Sequence, residues 1–309
     1  MKQKWMIAVA IVLMTGALTA STQKFSIATE EVRIDVLVTE KGKPVVDLKA
    51  ADFEVFDNGI AQEIQYIKLQ RQTPISAILV FDMSWSVAGE LLDRLRDAAF
   101  GLISDLKGED QAALITFNNA IALGSPLTRD LASIKLALNQ AKPVGKSSLI
   151  DASYAGLVLA GSRPEPPLLI VFSDGRDTSS WLTSEEVLET AKSARRNDTV
   201  VYAVSAARLQ KKRYRRSLFE TESENHAADD AFLSDLTKVT GGSLIEIESE
   251  QELAFVFRGI LEEFRLRYLV TYTPRGVSGA GWHKLDVRVK RRSATVKARP
   301  GYMRSSHAE

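Results

Sequence analysis

Ile78-Leu-Val-Phe-Asp-Met-Ser-Trp-Ser86 is the stretch whose reading decides the fold. Ala77 to Phe81 is a short, unbroken apolar run, which predicts a strand buried on both faces of a sheet. The run ends in Asp82, Ser84 and Ser86, one carboxylate and two hydroxyls at i, i+2 and i+4. Immediately beyond it, Leu91, Leu92, Leu95, Ala98, Ala99, Leu102, Ile103 and Leu106 recur at helical spacing. The oxygen-bearing side chains therefore fall on a turn between the carboxyl end of a strand and the start of a helix. Open α/β sheets bind ligands in that crevice. Hard oxygen donors suit magnesium, calcium or manganese rather than zinc or copper. By themselves, an Asp and two Ser at this place also read as helix-capping chemistry.

Working outward, the pattern from Pro74 alternates strands with helices. Apolar strands are expected at 112–117, 167–172, 200–204 and 244–247. Helices are expected at 131–138, 149–159, 185–195, 231–239 and 253–264. This alternation predicts an α/β fold: a doubly wound, mostly parallel sheet with helices on both faces. The flanks differ. Val32 to Thr39, a short piece at Val45–Val46, Phe53 to Phe56 and Ile64 to Leu69 show strand character, with a turn at Asp57-Asn-Gly59. Arg267 to Thr273, Lys284 to Lys290 and Thr295 to Ala298 return to it. Each flank is too short to bury a core alone, so 25–70 and 267–303 are expected to form one small β-sandwich, with a domain at 72–266 inserted between its halves. Arg208 to Arg216 carries six basic residues in nine, followed by the acid-rich stretch 220–230. It reads as a solvated excursion or as a docking surface for an acidic partner.

Two further segments bear on Asp82. Gly145-Lys-Ser-Ser-Leu-Ile-Asp-Ala152 opens a helix, with Ser147 or Ser148 placed to cap it, and Leu168-Leu-Ile-Val-Phe-Ser-Asp174-Gly-Arg-Asp177 ends a second central strand. Two carboxylates and several hydroxyls from three loops thus converge on one rim. A shared cation explains why two like charges stand together, since without one their repulsion raises a pKa.

In order and spacing, these three segments resemble the metal-ion-dependent adhesion site of von Willebrand factor type A domains, a Rossmann-like fold. The resemblance covers roughly 74–264. The flanks resemble a bacterial exported group carrying this domain, the VWFA-related group, through Asp52-Phe-Glu-Val-Phe-Asp-Asn-Gly59, Tyr268…Tyr272-Thr-Pro274 and Ala298-Arg-Pro-Gly-Tyr302. The resemblance implies that Ser84 and Ser86 are direct ligands and that Ser147 stands where the family has threonine. Asp82 and Asp174 would supply charge, directly or through water. It also implies a coordination position left open for a carboxylate of a protein partner. Magnesium is the expected ion, with calcium or manganese as alternatives. Trp85, Ser148 and Asp177 are candidate ligand contacts, Ser148 competing with Ser147 for the threonine's role.

Other features set bounds. The net charge of +1 implies no bulk attraction to nucleic acid. Lys2 and Lys4, the apolar run Trp5 to Leu13 and the small residues through Ser21 predict a signal peptide at 1–21, cleaved or retained as an anchor. With cleavage, no stable membrane span is expected. The expected location is periplasmic or extracellular. The chain has no cysteine, which excludes a lipidated-Cys anchor, disulfides and thiolate chemistry. Its three histidines, His226, His283 and His307, fall away from Asp82 in the pattern, so a Ser-His-Asp arrangement has little support. The expectation is a non-enzymatic, exported module that captures an exposed Asp or Glu of an extracytoplasmic protein. A structural module of an envelope assembly, or a metal-dependent hydrolase, are the alternatives. The sequence leaves open the ligand's identity, the ion, the oligomeric state and whether the last helix of the inserted domain shifts.

Overall fold

A computed structural model describes residues 31–161, 167–174, 177–193, 198–214, 223–277 and 279–304, without side chains at 211–214 and 223–230. The predicted signal peptide, the tail with His307 and the side chain of His226 lie outside the described residues.

The N-terminal flank supplies β1 (Val32–Glu40), β2 (Lys43–Pro44), β3 (Phe53–Asp57), β4 (Ile60–Gln62) and β5 (Tyr66–Leu69). The central region begins β6 (Ser76–Asp82), α1 (Glu90–Ser104), β7 (Gln111–Phe117), β8 (Ile121–Thr128), α2 (Leu131–Gln140) and α3 (Leu149–Ala160). It continues β9 (Pro167–Ser173), α4 (Ser184–Lys192), β10 (Val200–Ser205), α5 (Ala207–Tyr214), α6 (Ser223–Thr240), β11 (Ser243–Glu246) and α7 (Leu253–Arg265). The C-terminal flank adds β12 (Tyr268–Tyr272), β13 (Gly281–Val289), β14 (Ala294–Lys297) and β15 (Gly301–Arg304).

The central sheet runs β11-β10-β9-β6-β7-β8. Its first five strands are parallel and β8 is antiparallel to β7. β6 shows why the interior strands are apolar at every position. Ala77, Leu79 and Phe81 point into the cluster shared with α1, α2 and α7. Ile78 and Val80 point into the opposite cluster, with residues of α3, α4 and α6. A strand covered on both faces has no position where a polar side chain reaches water. Strand order reverses between β6 and β9, so the switch point of the sheet lies at their carboxyl ends.

The flanks interleave. β1 pairs antiparallel with β12 and β14, and β12 pairs with β5. The second sheet is β15-β13-β3-β4. Each sheet thus mixes strands from both ends of the chain, and one apolar core joins them through Ile34, Val36, Phe53, Val55, Val270, Leu285 and Tyr302. The β3–β4 hairpin turns on Asn58 and Gly59, both at positive φ (47° and 82°), as a two-residue hairpin turn requires.

Several local expectations change. The piece expected at Val45–Val46 is β2 at Lys43–Pro44, with Val45 buried in the sandwich core. The connection expected between Asp57 and Ile64 contains β4. β8 carries no strand signal in the sequence because Gly124 and Pro126 interrupt it. An edge strand tolerates both, and its two register shifts lie alongside them. α6 starts at Ser223 rather than near 231, so part of the acidic stretch is helical. The basic excursion opens as α5, with Ala207, Leu209 and Gln210 buried.

Candidate metal centre

Asp82 closes β6 and is fully buried. Its Oδ1 accepts the Ser84 N–H at 2.8 Å, and its Oδ2 accepts the hydroxyls of Ser147 and Ser173, each at 3.1 Å. Ser84 Oγ lies 3.0 Å from Ser86 Oγ. Asp174 follows β9, also fully buried, and its Oδ2 accepts the Gln210 amide at 3.0 Å. Burial, and then the charge of Asp174, push the Asp82 carboxyl up to about 7, against the hydrogen bonds from Ser84 and Ser147. The site as folded thus holds more negative charge than its surroundings stabilise.

The three loops are tied to one another by backbone bonds. The first is held by Met83 N–H to the Phe117 carbonyl (2.6 Å) and by Trp85 N–H to the Gly145 carbonyl (3.2 Å). Gly145 sits at φ 75°, and a Cβ there would lie 2.1 Å from Asn119 Oδ1, so only glycine lets the second loop approach this closely. The Ser147 carbonyl accepts the N–H groups of Thr178 and Ser179 (2.8 and 3.1 Å), and Ser147 N–H donates to Thr178 Oγ1 at 3.1 Å. Ser147 is therefore oriented from both sides, with its hydroxyl on Asp82.

Asp82, Ser84, Ser86 and Ser147 form one bonded cluster, and Asp174 joins it through Gln210 and through its charge on Asp82. The candidate contacts separate. Trp85 is 67% exposed. Ser148 is buried, with its hydroxyl 2.9 Å from Ser179 Oγ. Asp177 accepts the N–H of Ile150 at 2.9 Å on one oxygen and those of Ser179 and Ser180 at 3.2 and 3.0 Å on the other. The start of α3 is thus capped by Asp177 from the third loop. Neither Ser147 nor Ser148 makes the expected capping bond.

Sequence reasoning passed over Ser173, Gln210 and Trp181. Ser173 ends an apolar strand and carried no separate signal. Gln210 lies inside the basic stretch, one neutral residue among charges. Trp181 is 94% exposed, yet its backbone is fixed by N–H donation to Asp151 Oδ2 at 3.0 Å. The signal available in the sequence is a lone aromatic closing the polar run Asp177-Thr-Ser-Ser-Trp181 just past the third segment.

The donor set fits a hard divalent cation. It consists of oxygen atoms, with two carboxylates whose mutual repulsion a cation would offset. Among the described residues no three His, Cys, Asp or Glu come together to hold a metal; this centre relies on hydroxyls for its remaining ligands. Asp82, Ser84, Ser86, Ser147 and Asp174 are the residues that would hold the ion.

A family model for the von Willebrand factor type A domain matches residues 78–241, more than half of the chain. The chain belongs to the von Willebrand factor type A family. A Synechocystis protein described as uncharacterized, sll0103, is 28% identical over 111 residues, which is 35% of this chain and 26% of that protein. The chain therefore spans about a quarter of the relative it matches. Among solved structures, the PilB minor pilin from Streptococcus sanguinis shows a TM-score of 0.48 at 14% identity, covering 64% of this chain and 63% of that one. The vWF domain of the type V pili tip protein Mfa5 from Porphyromonas gingivalis gives 0.47 at 9%, covering 67% and 98%. Proximal thread matrix protein 1 from the mussel byssus, described with a zinc-occupied MIDAS motif, gives 0.48 at 14%, covering 67% and 49%.

Proposed function

We propose that this von Willebrand factor A protein is an exported binding module that captures an acidic residue of a protein partner through a divalent ion, magnesium in the first instance. The observation that carries the reading is the convergence of Asp82, Ser84, Ser86, Ser147 and Asp174 at the switch point of the sheet. A divalent ion held by this set would offer a carboxylate an electrostatic and coordinating contact that the two buried aspartates alone would repel. The chain's residues do the rest. Asp82 and Asp174 hold the charge, the serine hydroxyls orient around it, and the linked loops keep the donors in place before a partner arrives. Trp85 and Trp181, both exposed, stand on the first and third loops. A rigidly held Trp contributes contact area at low entropic cost, which suits the rim of a protein interface.

Binding is favoured over catalysis by the placement of His283. It is buried in the sandwich core with Asp57, Nδ1 to Oδ1 2.9 Å, rather than beside the serines. Export is supported by the basic, apolar, small-residue order of the first 21 residues. Among the described residues no helix is long and apolar enough to cross a membrane.

The test is calorimetric titration of the full chain with magnesium, manganese and calcium, followed by capture from an extracytoplasmic fraction in magnesium or chelator. Binding of at least one ion, and capture that chelator and Ser86→Ala both abolish while the fold is retained, are expected. Absence of binding by all three ions overturns the reading. Loss of fold in Ser86→Ala points instead to a structural ion.

A further inference from the structure

The basic connection after β10 reaches the metal centre through one side chain. Ala206 N–H donates to the Ser173 carbonyl at 2.9 Å, which starts α5 directly over the end of β9. Leu209 packs into the core cluster of α1 and α7. Gln210, one residue on, is 4% exposed. Its Nε2 donates to the Ser86 carbonyl at 2.7 Å and to Asp174 Oδ2 at 3.0 Å. A side-chain amide nitrogen has two hydrogens, and each of these contacts takes one. One nitrogen therefore ties the last serine of the first loop to the carboxylate of the third.

We propose that Gln210 is a positioning residue of the ion site, fixing Asp174 in register with the first loop without neutralising it. The choice of group carries the argument. A lysine or arginine beside Asp174 would pair the carboxylate and compete with a cation. A glutamate would add a third negative charge to a buried pair that already repels. An apolar residue would leave the Ser86 carbonyl and the buried Asp174 oxygen without this donor. A neutral donor orients the carboxylate and leaves its charge for the ion. Partners that orient a metal's ligands, without touching the metal, typically alter affinity by about 10- to 100-fold when removed. The same bond makes α5 part of the centre, so the basic stretch begins as a structural extension of the ion site.

The proposal rests on the ion-binding reading above, and the experiment separates the two. Wild type, Gln210→Leu and Gln210→Lys are titrated with magnesium and manganese alone by calorimetry, and each is melted without metal. Gln210→Leu is expected to bind magnesium at least about tenfold more weakly than wild type. Gln210→Lys is expected to lose magnesium binding and to melt, without metal, no lower than wild type, because its ammonium substitutes for the cation. A merely structural Gln210 predicts the opposite for the lysine variant: a lowered metal-free melt with affinity kept. If Gln210→Leu does not fold, the lysine variant decides, and undiminished magnesium affinity in it overturns the proposal. Undiminished affinity in a folded Gln210→Leu overturns it as well, while leaving the ion site standing. A wild type that binds neither ion removes the ion-site reading itself.

Discussion

Arg265, the last residue of α7, forms a buried ion pair with Asp110 in the turn before β7. The same carboxylate accepts the N–H of Ile75 at 3.1 Å and that of Lys107 at 2.6 Å. Two residues on, Arg267 is fully buried and donates to the carbonyls of Asp35 (3.0 Å) and Gly241 (2.8 Å). The carboxyl end of the closing helix is thus anchored on both units. The apolar stripe of α7 is seated as well, with Leu253, Phe257, Ile260, Leu261 and Phe264 buried. A helix that ratchets needs a second arrangement of comparable energy, and a shift here would strand a buried charge. An engineered disulfide between α7 and α1 should therefore leave magnesium affinity equal in oxidised and reduced protein. Asp110→Asn should cost about 3–5 kcal/mol in urea unfolding. A magnesium affinity that changes on oxidation would show that the helix switches.

Removing charge from the centre should act oppositely on ion binding and on metal-free stability. Asp82→Asn keeps a hydrogen-bonding group at the end of β6, and the hydroxyls of Ser147 and Ser173 can rotate to meet it. It also removes one of two repelling carboxylates. Magnesium affinity should fall by well over tenfold, about 1.4 kcal/mol or more. The metal-free melting temperature should be equal or higher. Calorimetry and a melt in chelator measure both. A variant that melts well below wild type in chelator would mean that Asp82 serves the fold first.

Asp35 gives a pH dependence at the junction of the two units. Burial pushes its carboxyl up to about 6, with Arg267 and the Gln70 side chain opposing. Below about 3 the group is protonated in both folded and unfolded chains and costs nothing. As pH rises toward 6 the unfolded chain releases its proton first, so the folded state is penalised and stability falls. Two pH units correspond to roughly 3 kcal/mol. The stability of Asp35→Asn minus that of wild type should therefore grow by about that amount between about pH 3 and pH 7 and level off above. Urea melts of both proteins across this range measure it; a difference that stays flat removes the assignment.

The flanks should behave as one folding unit. Asp57 on β3 accepts the hydroxyls of Tyr272 and Tyr302, each at 2.8 Å, and bonds His283, so three C-terminal residues converge on one N-terminal carboxylate. A fragment of residues 72–266 retains both core clusters of the central sheet and should fold, less stably, without Arg267. A fragment of 25–70 should show no cooperative unfolding. Asp57→Ala leaves buried donors unsatisfied and should destabilise the intact chain by about 3 kcal/mol or more. A cooperative transition in the isolated N-terminal flank would dissolve the shared sandwich.

The sequence by itself determined the parallel strands of the central sheet and pointed to the candidate ion site at their carboxyl ends. A strand covered on both faces must be apolar throughout, so β6, β9 and β10 are visible as runs. Oxygen donors needed at strand ends are visible where those runs stop, at Asp82 and Asp174. The start of α4 is equally local: the sequence offers Thr183 or Ser184 as its cap, and Thr183 forms a capping box with Glu186, three residues on. Tertiary structure decided what depends on distant partners. Gln210 is one more polar residue in a basic stretch until folding sets it on Ser86, 124 positions away. Asp177 looks like a ligand contact until one oxygen accepts the Ile150 N–H at the start of α3 and the other the N–H groups of Ser179 and Ser180. Arg267 only opens a strand pattern until folding buries it and sets it on the carbonyl of Asp35, 232 positions earlier. Local pattern reports how a side chain meets water and its own backbone; which group satisfies a buried donor is settled only when the elements pack.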